Sequence, residues 1–167
     1  MPDYTRYIRE LKGHNRYGLT PLFADASVFK RAIEDLAEPF NKYEVEKVAA
    51  LDALGFVLGS GVALVLNAGL VLVRKEGKIP WNTVNTTLKD YSGVKGLELG
   101  ADAIQPGERV LIVDDWSETG AQLVAAAELV ERLRGEVVGV ALIGCDEGVK
   151  ENAKLAQYPL HHLVDIG

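Results

Sequence analysis

The sequence has little of what marks secreted or membrane-bound proteins. Its 167 residues include a single cysteine, Cys145, which cannot form a disulfide within one chain. No stretch approaches the roughly 18 consecutive apolar residues that a membrane span requires. Residues 1–12 are polar and charged, without the apolar centre of a secretory signal. We therefore expect a cytoplasmic protein with no membrane partner.

A surplus of basic residues is also missing. The chain has 18 Lys and Arg against 24 Asp and Glu, a net charge of −6. Because nucleic-acid-binding domains usually carry a basic face, we expect no nucleic-acid partner. A local cluster of cations can still bind a small anion. With 48% hydrophobic residues, the length suits one domain, residues 1–167, with a sizeable core.

Short apolar runs indicate a sheet that is buried on both faces. The runs 45–51, 70–73, 110–113 and 137–143 are rich in Val, Leu and Ile, and a further strand is expected at 160–166. Helical spacing of apolar residues predicts helices over 27–40, 59–68 and 120–134. Alternating strands and helices predict an α/β fold, a Rossmann-like, mostly parallel sheet flanked by helices.

The segment 75–100 differs from the rest. It is polar, contains several glycines and lacks a helical period, and Thr83–Leu88 is β-prone but poorly suited to a core. Long insertions in compact domains are more often functional than idle, so we predict a mobile flap over residues 76–100.

The motif RVLIVDDWSETGAQ, residues 109–122, carries the clearest chemical signal. A buried strand ends in Asp114 and Asp115, and a short loop leads into a helix. The N–H groups of a helix N-terminus bind phosphate, Gly120 permits close approach, and Ser117 and Thr119 add hydroxyl groups. The carboxylates suit sugar hydroxyls or Mg²⁺ held through water. A capped helix with solvated carboxylates and a phospho-accepting signalling domain are the alternatives.

Other residues with useful chemistry are fewer. Arg74, Lys75 and Lys78 place three cations within five residues directly after a strand, where α/β proteins bind ligands. A solvated turn is the alternative interpretation. His161 and His162 lack further ligands, so we expect no metal bound directly by the protein. Cys145 has no recognisable base beside it and is expected to be inert.

Residues 110–122 resemble the binding signature for phosphoribosyl pyrophosphate (PRPP) of the type I phosphoribosyltransferases. Residues 20–25, the segment LDALGFVLG at 51–59, the basic segment RKEGKIP at 74–80, the pair Asp90-Tyr91 and QPGER at 105–109 are similar to segments of the family's adenine branch, in the same order. The resemblance implies the type I fold, with a small N-terminal hood over residues 1–26 and the flap at 76–100.

The resemblance also implies roles for individual residues. It implies transfer of ribose 5-phosphate from PRPP to a purine, preferably adenine, with Mg²⁺ as cofactor and a homodimer as the assembly. The residues fall into three groups: catalytic Asp90, Asp114 and Asp115; PRPP-binding Ser117, Glu118, Thr119, Gly120, Ala121, Gln122, Arg74, Lys75, Lys78, Asp52 and Ala53; and base-binding Phe23 and Tyr91. Trp81 is a further candidate for stacking on a base or closing the flap.

Four positions depart from the family's pattern. Leu54 stands where an Arg is usual, Gln122 where Thr or Ser is usual, Asp90 where Glu is usual, and Glu118 where a small residue is usual. The alternatives are therefore a PRPP- or nucleotide-binding regulatory module without turnover, and a transferase for xanthine, guanine or a modified base.

Overall fold

The computed structural model describes residues 3–11, 16–90 and 93–165. A seven-stranded sheet forms its centre, and a separate two-stranded hairpin, β1–β2, lies near the N-terminus. The strands are β1 Arg9–Leu11, β2 Arg16–Gly18, β3 Lys47–Leu51, β4 Gly69–Lys75, β5 Thr83–Asp90, β6 Gly93–Gly100, β7 Arg109–Ser117, β8 Glu136–Cys145 and β9 Leu160–Asp165. The helices are α1 Thr20–Ala24, α2 Ala26–Ala37, α3 Leu54–Val65, α4 Ala121–Arg132 and α5 Glu147–Lys150, with 3-10 turns at Tyr4–Tyr7 and Glu38–Tyr43.

The sheet is mostly parallel, as the sequence predicts. Its strand order is β5-β6-β4-β3-β7-β8-β9, in which β4, β3, β7, β8 and β9 pair in parallel and the β5–β6 hairpin pairs antiparallel. The chain runs from β3 outward to β4 and later returns to place β7 on the other side of β3. Strand order thus reverses between β3 and β7, and ligands of such sheets bind beyond the carboxyl ends of the strands at that point.

Two apolar layers cover the sheet. On one face, α2 and α3 pack Leu36, Leu58 and Val62 against the sheet, and on the other face α4 contributes Leu123 and Leu129, all of them fully buried. Asp25 begins α2 because its side chain accepts hydrogen bonds from the backbone N–H groups of Ser27 and Val28. Both faces of the central strands are therefore covered, which explains their continuous apolar runs.

Several predicted boundaries were wrong. Helix α3 begins at Leu54 instead of residue 59, so most of the segment 51–59, which resembles the family's pyrophosphate loop, is helical. Strand β7 continues to Ser117 and β4 to Lys75, so Asp114, Asp115, Arg74 and Lys75 belong to strands. The helix predicted over 27–40 ends at Ala37 and continues as a 3-10 turn, because Pro39 lacks the N–H that an α-helix needs.

The polar segment 76–100 forms regular structure over most of its length. Strands β5 and β6 pair over eight residues each and extend the sheet beside β4. Leu97 and Leu99 of β6 are buried in the core, although the composition of the segment predicted a poorly packing insertion. Thr86 of β5 is buried beside Glu128 of α4, so the base of the hairpin is docked on that helix. The role of the segment as a flap stays a prediction.

In the part of the chain that the structure describes, no helix combines the length and the apolar character needed to cross a bilayer.

Candidate active site

The acidic pair lies at the carboxyl end of β7. Asp114 is 6% exposed, and its Oδ1 accepts a hydrogen bond of 2.9 Å from the backbone N–H of Asp115. Burial, together with the negative charge of Asp115, raises the pKa of the Asp114 carboxyl well above its ordinary value. The Asp115 side chain is half-buried. A buried, poorly solvated carboxylate at a ligand-binding edge is a typical functional arrangement.

The first turn of α3 packs directly against this pair. A Cβ atom added to Gly55 would lie 2.9 Å from Asp114 Oδ1, a separation that real Cβ atoms essentially never show, and 3.0 Å from the Val113 carbonyl oxygen, a tight contact with backbone. Only glycine allows this approach. The loop Asp52–Ala53, which precedes α3 and contains a cis peptide bond, is thereby held beside the acidic pair.

The loop between β7 and α4 forms the second half of the site. Ser117 Oγ accepts a hydrogen bond from Gly120 N at 3.2 Å, and Thr119 Oγ1 accepts one from Ala121 N at 3.3 Å. Gly120 has φ +78°, and a Cβ there would meet Leu155 at 2.5 Å. The loop therefore depends on glycine, and it leads into a helix N-terminus, whose backbone N–H groups are of the kind that bind anions.

The predicted phosphate residues differ in exposure. Ser117 and Gly120 are buried, Ala121 is half-buried, and Glu118, Thr119 and Gln122 are exposed. Asn152 supports the loop from behind, because its side-chain amide donates to the Thr119 carbonyl at 3.0 Å. The exposed Glu118 carboxylate is solvated, which reduces its repulsion of an anion in the loop.

The basic segment begins within β4, beside the Asp52–Ala53 loop. Arg74 Nε lies 3.8 Å from Asp52 Oδ2, and Arg74 Nη1 donates to the Lys78 carbonyl at 3.1 Å. Arg74 Nε is itself buried and makes no hydrogen bond in the structure. Lys75 and Lys78 are exposed. Because β3 and β4 are parallel neighbours, this segment shares an edge of the sheet with the acidic pair.

The structure gives fewer contacts for the remaining predicted residues. Phe23 is half-buried and packs edge-on against Phe29 with ring centroids 5.4 Å apart. Asp90 is the last residue of β5, but its side chain, like the whole of Tyr91, lies outside the described residues. Trp81 is 67% exposed before the hairpin.

An aromatic pair that the sequence did not reveal adjoins the phosphate loop. Tyr17 of β2 stacks on Trp116 with ring centroids 4.0 Å apart, and Trp116 Nε1 donates to Asp146 Oδ1 at 2.9 Å. This contact brings the N-terminal hairpin to the carboxyl end of β7. The two residues are 99 positions apart, so no local sequence pattern predicts their contact. The only local signal is the tryptophan that directly follows the two aspartates.

Among the residues that the structure describes, no group of three or more His, Cys, Asp or Glu side chains is arranged to hold a metal ion. Asp114 and Asp115 supply oxygen atoms, the ligand type that Mg²⁺ prefers, but two neighbouring carboxylates do not complete an octahedral shell. The residues fit an ion that takes its remaining ligands from water and from phosphate oxygens.

Known proteins resemble this chain over nearly its full length. An adenine phosphoribosyltransferase of Halothermothrix orenii is 32% identical over 97% of this chain and 98% of its own, and one of Dinoroseobacter shibae is 43% identical over 86% and 81%. The crystal structure of adenine phosphoribosyltransferase from Rhodothermus marinus covers 95% of this chain and is itself 94% covered, with a TM-score of 0.88 and 38% identity.

A known structure with bound ligands is also similar to this chain. The Saccharomyces cerevisiae adenine phosphoribosyltransferase, in complex with an imino-altritol bisphosphate and adenine, has 28% identity and a TM-score of 0.88, with 96% of each chain covered. The sequence matches the phosphoribosyl transferase domain over residues 23–158, the range that contains both glycine-dependent loops, the acidic pair and the basic segment. The chain therefore belongs to the phosphoribosyltransferase family.

Proposed function

We propose that the protein is an adenine phosphoribosyltransferase of purine salvage, converting adenine and PRPP to AMP and pyrophosphate. The observation that carries this proposal is the convergence of the acidic pair with two helix N-termini at the point where strand order reverses. Support for adenine comes from the full-length similarity to enzymes of that name.

The two helix N-termini divide the phosphates of PRPP between them. The loop Ser117–Gln122 at the start of α4 binds the 5′-phosphate, because its backbone N–H groups exchange the Ser117 and Thr119 hydroxyls for phosphate oxygens. Asp52, Ala53 and the first turn of α3, together with Arg74, Lys75 and Lys78, bind the pyrophosphate. The buried Nε of Arg74, which makes no hydrogen bond here, gains an acceptor.

Asp114 and Asp115 orient the ribose by accepting hydrogen bonds from its hydroxyl groups. If Mg²⁺ binds with PRPP, Asp114 and Asp115 would hold it through water, and it would supply positive charge to the pyrophosphate group. The buried carboxylate of Asp114 is ionised most readily when hydroxyl donors face it, so ribose binding and deprotonation support one another.

The reaction is a substitution at C1′ of the ribose. The C1′–oxygen bond breaks with its electron pair going to pyrophosphate, a ring nitrogen of adenine forms the new C1′–N bond, and that nitrogen gives up its proton. The transition state resembles an oxocarbenium ion, as in glycoside hydrolysis. Asp90 at the hairpin tip either stabilises this cation or accepts the base proton.

The base site lies between the N-terminal hood and the hairpin. Phe23 and Tyr91 stack on the base, and the flap at 76–100 closes to exclude water that would hydrolyse PRPP. The contact between Tyr17 and Trp116 supports a position of the hood next to the phosphate loop. Trp81, exposed before the hairpin, is available to the closed flap.

A pyrophosphate-release assay with PRPP, Mg²⁺ and a panel of nucleobases tests the function. We expect release with adenine, and weaker or no release with guanine, hypoxanthine and xanthine. Release with another base alone would correct the substrate. No release with any base, from protein that binds Mg-PRPP, would contradict the proposal and favour a regulatory binding module.

One position favours that second candidate. Leu54 is 39% exposed at the start of α3, where its apolar side chain offers nothing to an anion. A module that binds PRPP without turnover needs fewer pyrophosphate ligands than an enzyme does. The exposure also excludes a core role for Leu54.

Leu54→Arg is therefore expected to tighten Mg-PRPP binding by about tenfold, the effect of one charged hydrogen bond. A cation at a helix N-terminus is unfavourable in the free protein, so the melting temperature should fall slightly without ligand and rise with it. Calorimetry with PRPP and with AMP measures the effect, and Ser60→Arg, at another exposed residue of α3, is the control. Unchanged PRPP affinity in the folded variant would show that another residue fills this role.

The assembly that we propose is a cytoplasmic homodimer. Helix α3 and strand β4 expose an apolar surface formed by Val57, Leu64, Val65, Leu70 and Leu72, of which Leu64 is 83% exposed. Exposed large apolar side chains grouped on neighbouring elements are typical of subunit interfaces. Sedimentation equilibrium tests it, because Leu64→Glu should shift a dimer to monomer.

A further inference from the structure

A buried carboxylate in the hairpin has no part in the roles described so far. Glu98 lies in β6 and is only 4% exposed, although it stands in a segment that is otherwise polar. In the sheet, its Cα pairs with that of Arg74 in β4 on one side and with that of Asn85 in β5 on the other. A buried carboxylate is costly unless several donors satisfy it.

The donors come from the turn that follows the basic strand. Glu98 Oε1 accepts from Lys78 N at 2.6 Å and from Ile79 N at 2.7 Å, and Oε2 lies 3.5 Å from Thr83 Oγ1. Burial opposes ionisation of Glu98, but the N–H groups of Ile79, Gly77 and Lys78 together outweigh it, so the pKa of Glu98 is lowered. One side chain thus fixes the backbone of the whole turn.

The backbone of the turn at 77–79 also holds the side chain of Arg74. Arg74 Nη1 donates to the carbonyl of Lys78, the residue whose N–H is bound by Glu98. On its other side, Arg74 Nε lies 3.8 Å from the Asp52 carboxylate in the loop before α3. A continuous set of contacts therefore runs from Glu98 through the turn to Arg74 and then to the Asp52–Ala53 loop.

We infer that Glu98 is a positioning residue for pyrophosphate: it fixes the turn at residues 77–79 so that Arg74 and Lys78 face the leaving group of PRPP. The inference rests on the proposed function, because it assigns pyrophosphate to this basic segment. Glu98 touches neither substrate, and its effect reaches the ligand through the turn. Without it, the turn gains freedom that pyrophosphate binding has to remove again.

Glu98→Ala is expected to weaken binding of Mg-PRPP and of Mg-pyrophosphate by about tenfold and to leave AMP binding within about twofold. AMP is the discriminating ligand because it has the 5′-phosphate, ribose and base but no pyrophosphate. In steady-state assays the same variant should raise KM for PRPP far more than KM for adenine. Calorimetry with the three ligands measures the affinities directly.

Glu98→Gln is the conservative variant. Its carbonyl oxygen accepts from Lys78 N and Ile79 N, and its amide donates to Thr83 Oγ1, so the turn keeps its position. We expect PRPP affinity close to that of the wild-type protein. Recovery with Gln would show that hydrogen bonding to the turn, and not the negative charge, is what Glu98 contributes.

Leu99→Ala is the matched control for stability. Leu99 is the next residue of β6 and fully buried in the apolar core, and because side chains alternate along a strand it points to the opposite face of the sheet from Glu98. The variant should lower the melting temperature while PRPP and AMP affinities keep their ratio. If Glu98→Ala does not fold, Glu98→Asp supports the same comparison, because the shorter side chain withdraws the carboxylate from the turn.

Selective loss of PRPP and pyrophosphate affinity in Glu98→Ala or Glu98→Asp, restored in Glu98→Gln, supports the inference. Equal losses for PRPP and AMP, or the same selectivity in Leu99→Ala, would overturn it, as would wild-type protein that binds no pyrophosphate. Wild-type protein that binds pyrophosphate but transfers ribose to no base would contradict the proposed enzyme while leaving this comparison intact.

Discussion

Replacing Asp114 with Asn is expected to raise the melting temperature of the ligand-free protein and to remove most of its affinity for Mg-PRPP. The wild-type carboxyl is buried beside Asp115, which makes its ionised form unfavourable in the folded state. Asn has the same shape, keeps an oxygen for the Asp115 N–H and donates its amide to the Asp115 carboxylate. The variant therefore loses a buried charge without losing a hydrogen bond.

The effect on stability has a defined pH dependence. Because the folded-state pKa of Asp114 is raised above its ordinary value of 3.8, the unfolded chain releases this proton first as the pH rises. The carboxyl's contribution to stability is thus fully present below pH 3.8 and is lost as the pH rises through the folded-state pKa. The advantage of Asp114→Asn in melting temperature should grow with pH over this window and then level off.

Ligand binding should show the opposite preference. Ribose hydroxyls and Mg²⁺ favour the ionised carboxylate, so PRPP binding should release a proton below the folded-state pKa and weaken as the pH falls. Calorimetry in buffers of different ionisation enthalpy measures that release. Asp115→Asn is the control for stability, because Asp115 is only half-buried, and the double variant should bind no PRPP. Unchanged PRPP affinity in the double variant would refute the ribose-binding role.

The central sheet was predictable from short local patterns. Runs such as 110–113 and 137–143 are rich in Val, Leu and Ile on both faces, a composition typical of strands covered by helices on both sides. The structure places these residues in β7 and β8, with Ile112 and Leu142 fully buried. Strands β4 and β7 extend beyond the predicted apolar runs, because polar residues can continue a strand to the ligand-binding edge, where no helix covers them.

The start of α3 and the hairpin were not predictable in the same way. Gly55 and Gly59 lower helix propensity and make residues 51–59 look like a loop, but both glycines lie where the helix approaches neighbouring strands closely. In the hairpin, Leu97 and Leu99 alternate with Glu98, a strand pattern that several nearby glycines obscured. From the sequence alone, Glu98 would be expected to face solvent. The groups that satisfy its buried carboxylate are backbone N–H donors about twenty residues away, which no local pattern reveals.

The site residues also fall into two groups, those whose proximity the sequence predicts and those whose proximity depends on the fold. Asp114, Ser117 and Gly120 belong to one continuous motif, so their proximity follows from the chain. The contacts of Tyr17 with Trp116 and of Gly55 with Asp114 join distant segments and depend on the fold. Resemblance to a family placed the loop at 52–53 beside the motif, which periodicity alone did not do.

Arg74→Ala is expected to weaken Mg-PRPP binding by about ten- to hundredfold, the effect of losing a charged hydrogen-bonding partner worth about 1.5–3 kcal/mol. AMP binding should change little, because AMP lacks the pyrophosphate that we propose this side chain binds. Arg74 is suited to the role because its buried Nε makes no hydrogen bond in the structure, while its Nη1 is held by the Lys78 carbonyl. The guanidinium is thus fixed at Nη1, while its Nε lies 3.8 Å from Asp52 Oδ2 and still lacks a hydrogen bond.

The control for this variant is Arg134→Ala. Arg134 is exposed and follows α4 at the amino end of β8, on the opposite edge of the sheet from the site. Arg134→Ala removes the same charge as Arg74→Ala. Any loss of PRPP affinity that comes only from the net charge of the protein should therefore appear in both variants, and it should shrink in 0.5 M salt. A loss confined to Arg74→Ala and retained in salt identifies a direct ligand. Equal losses of PRPP and AMP in Arg74→Ala would instead make Arg74 a structural partner of Asp52, since the loop before α3 would then have shifted for both ligands.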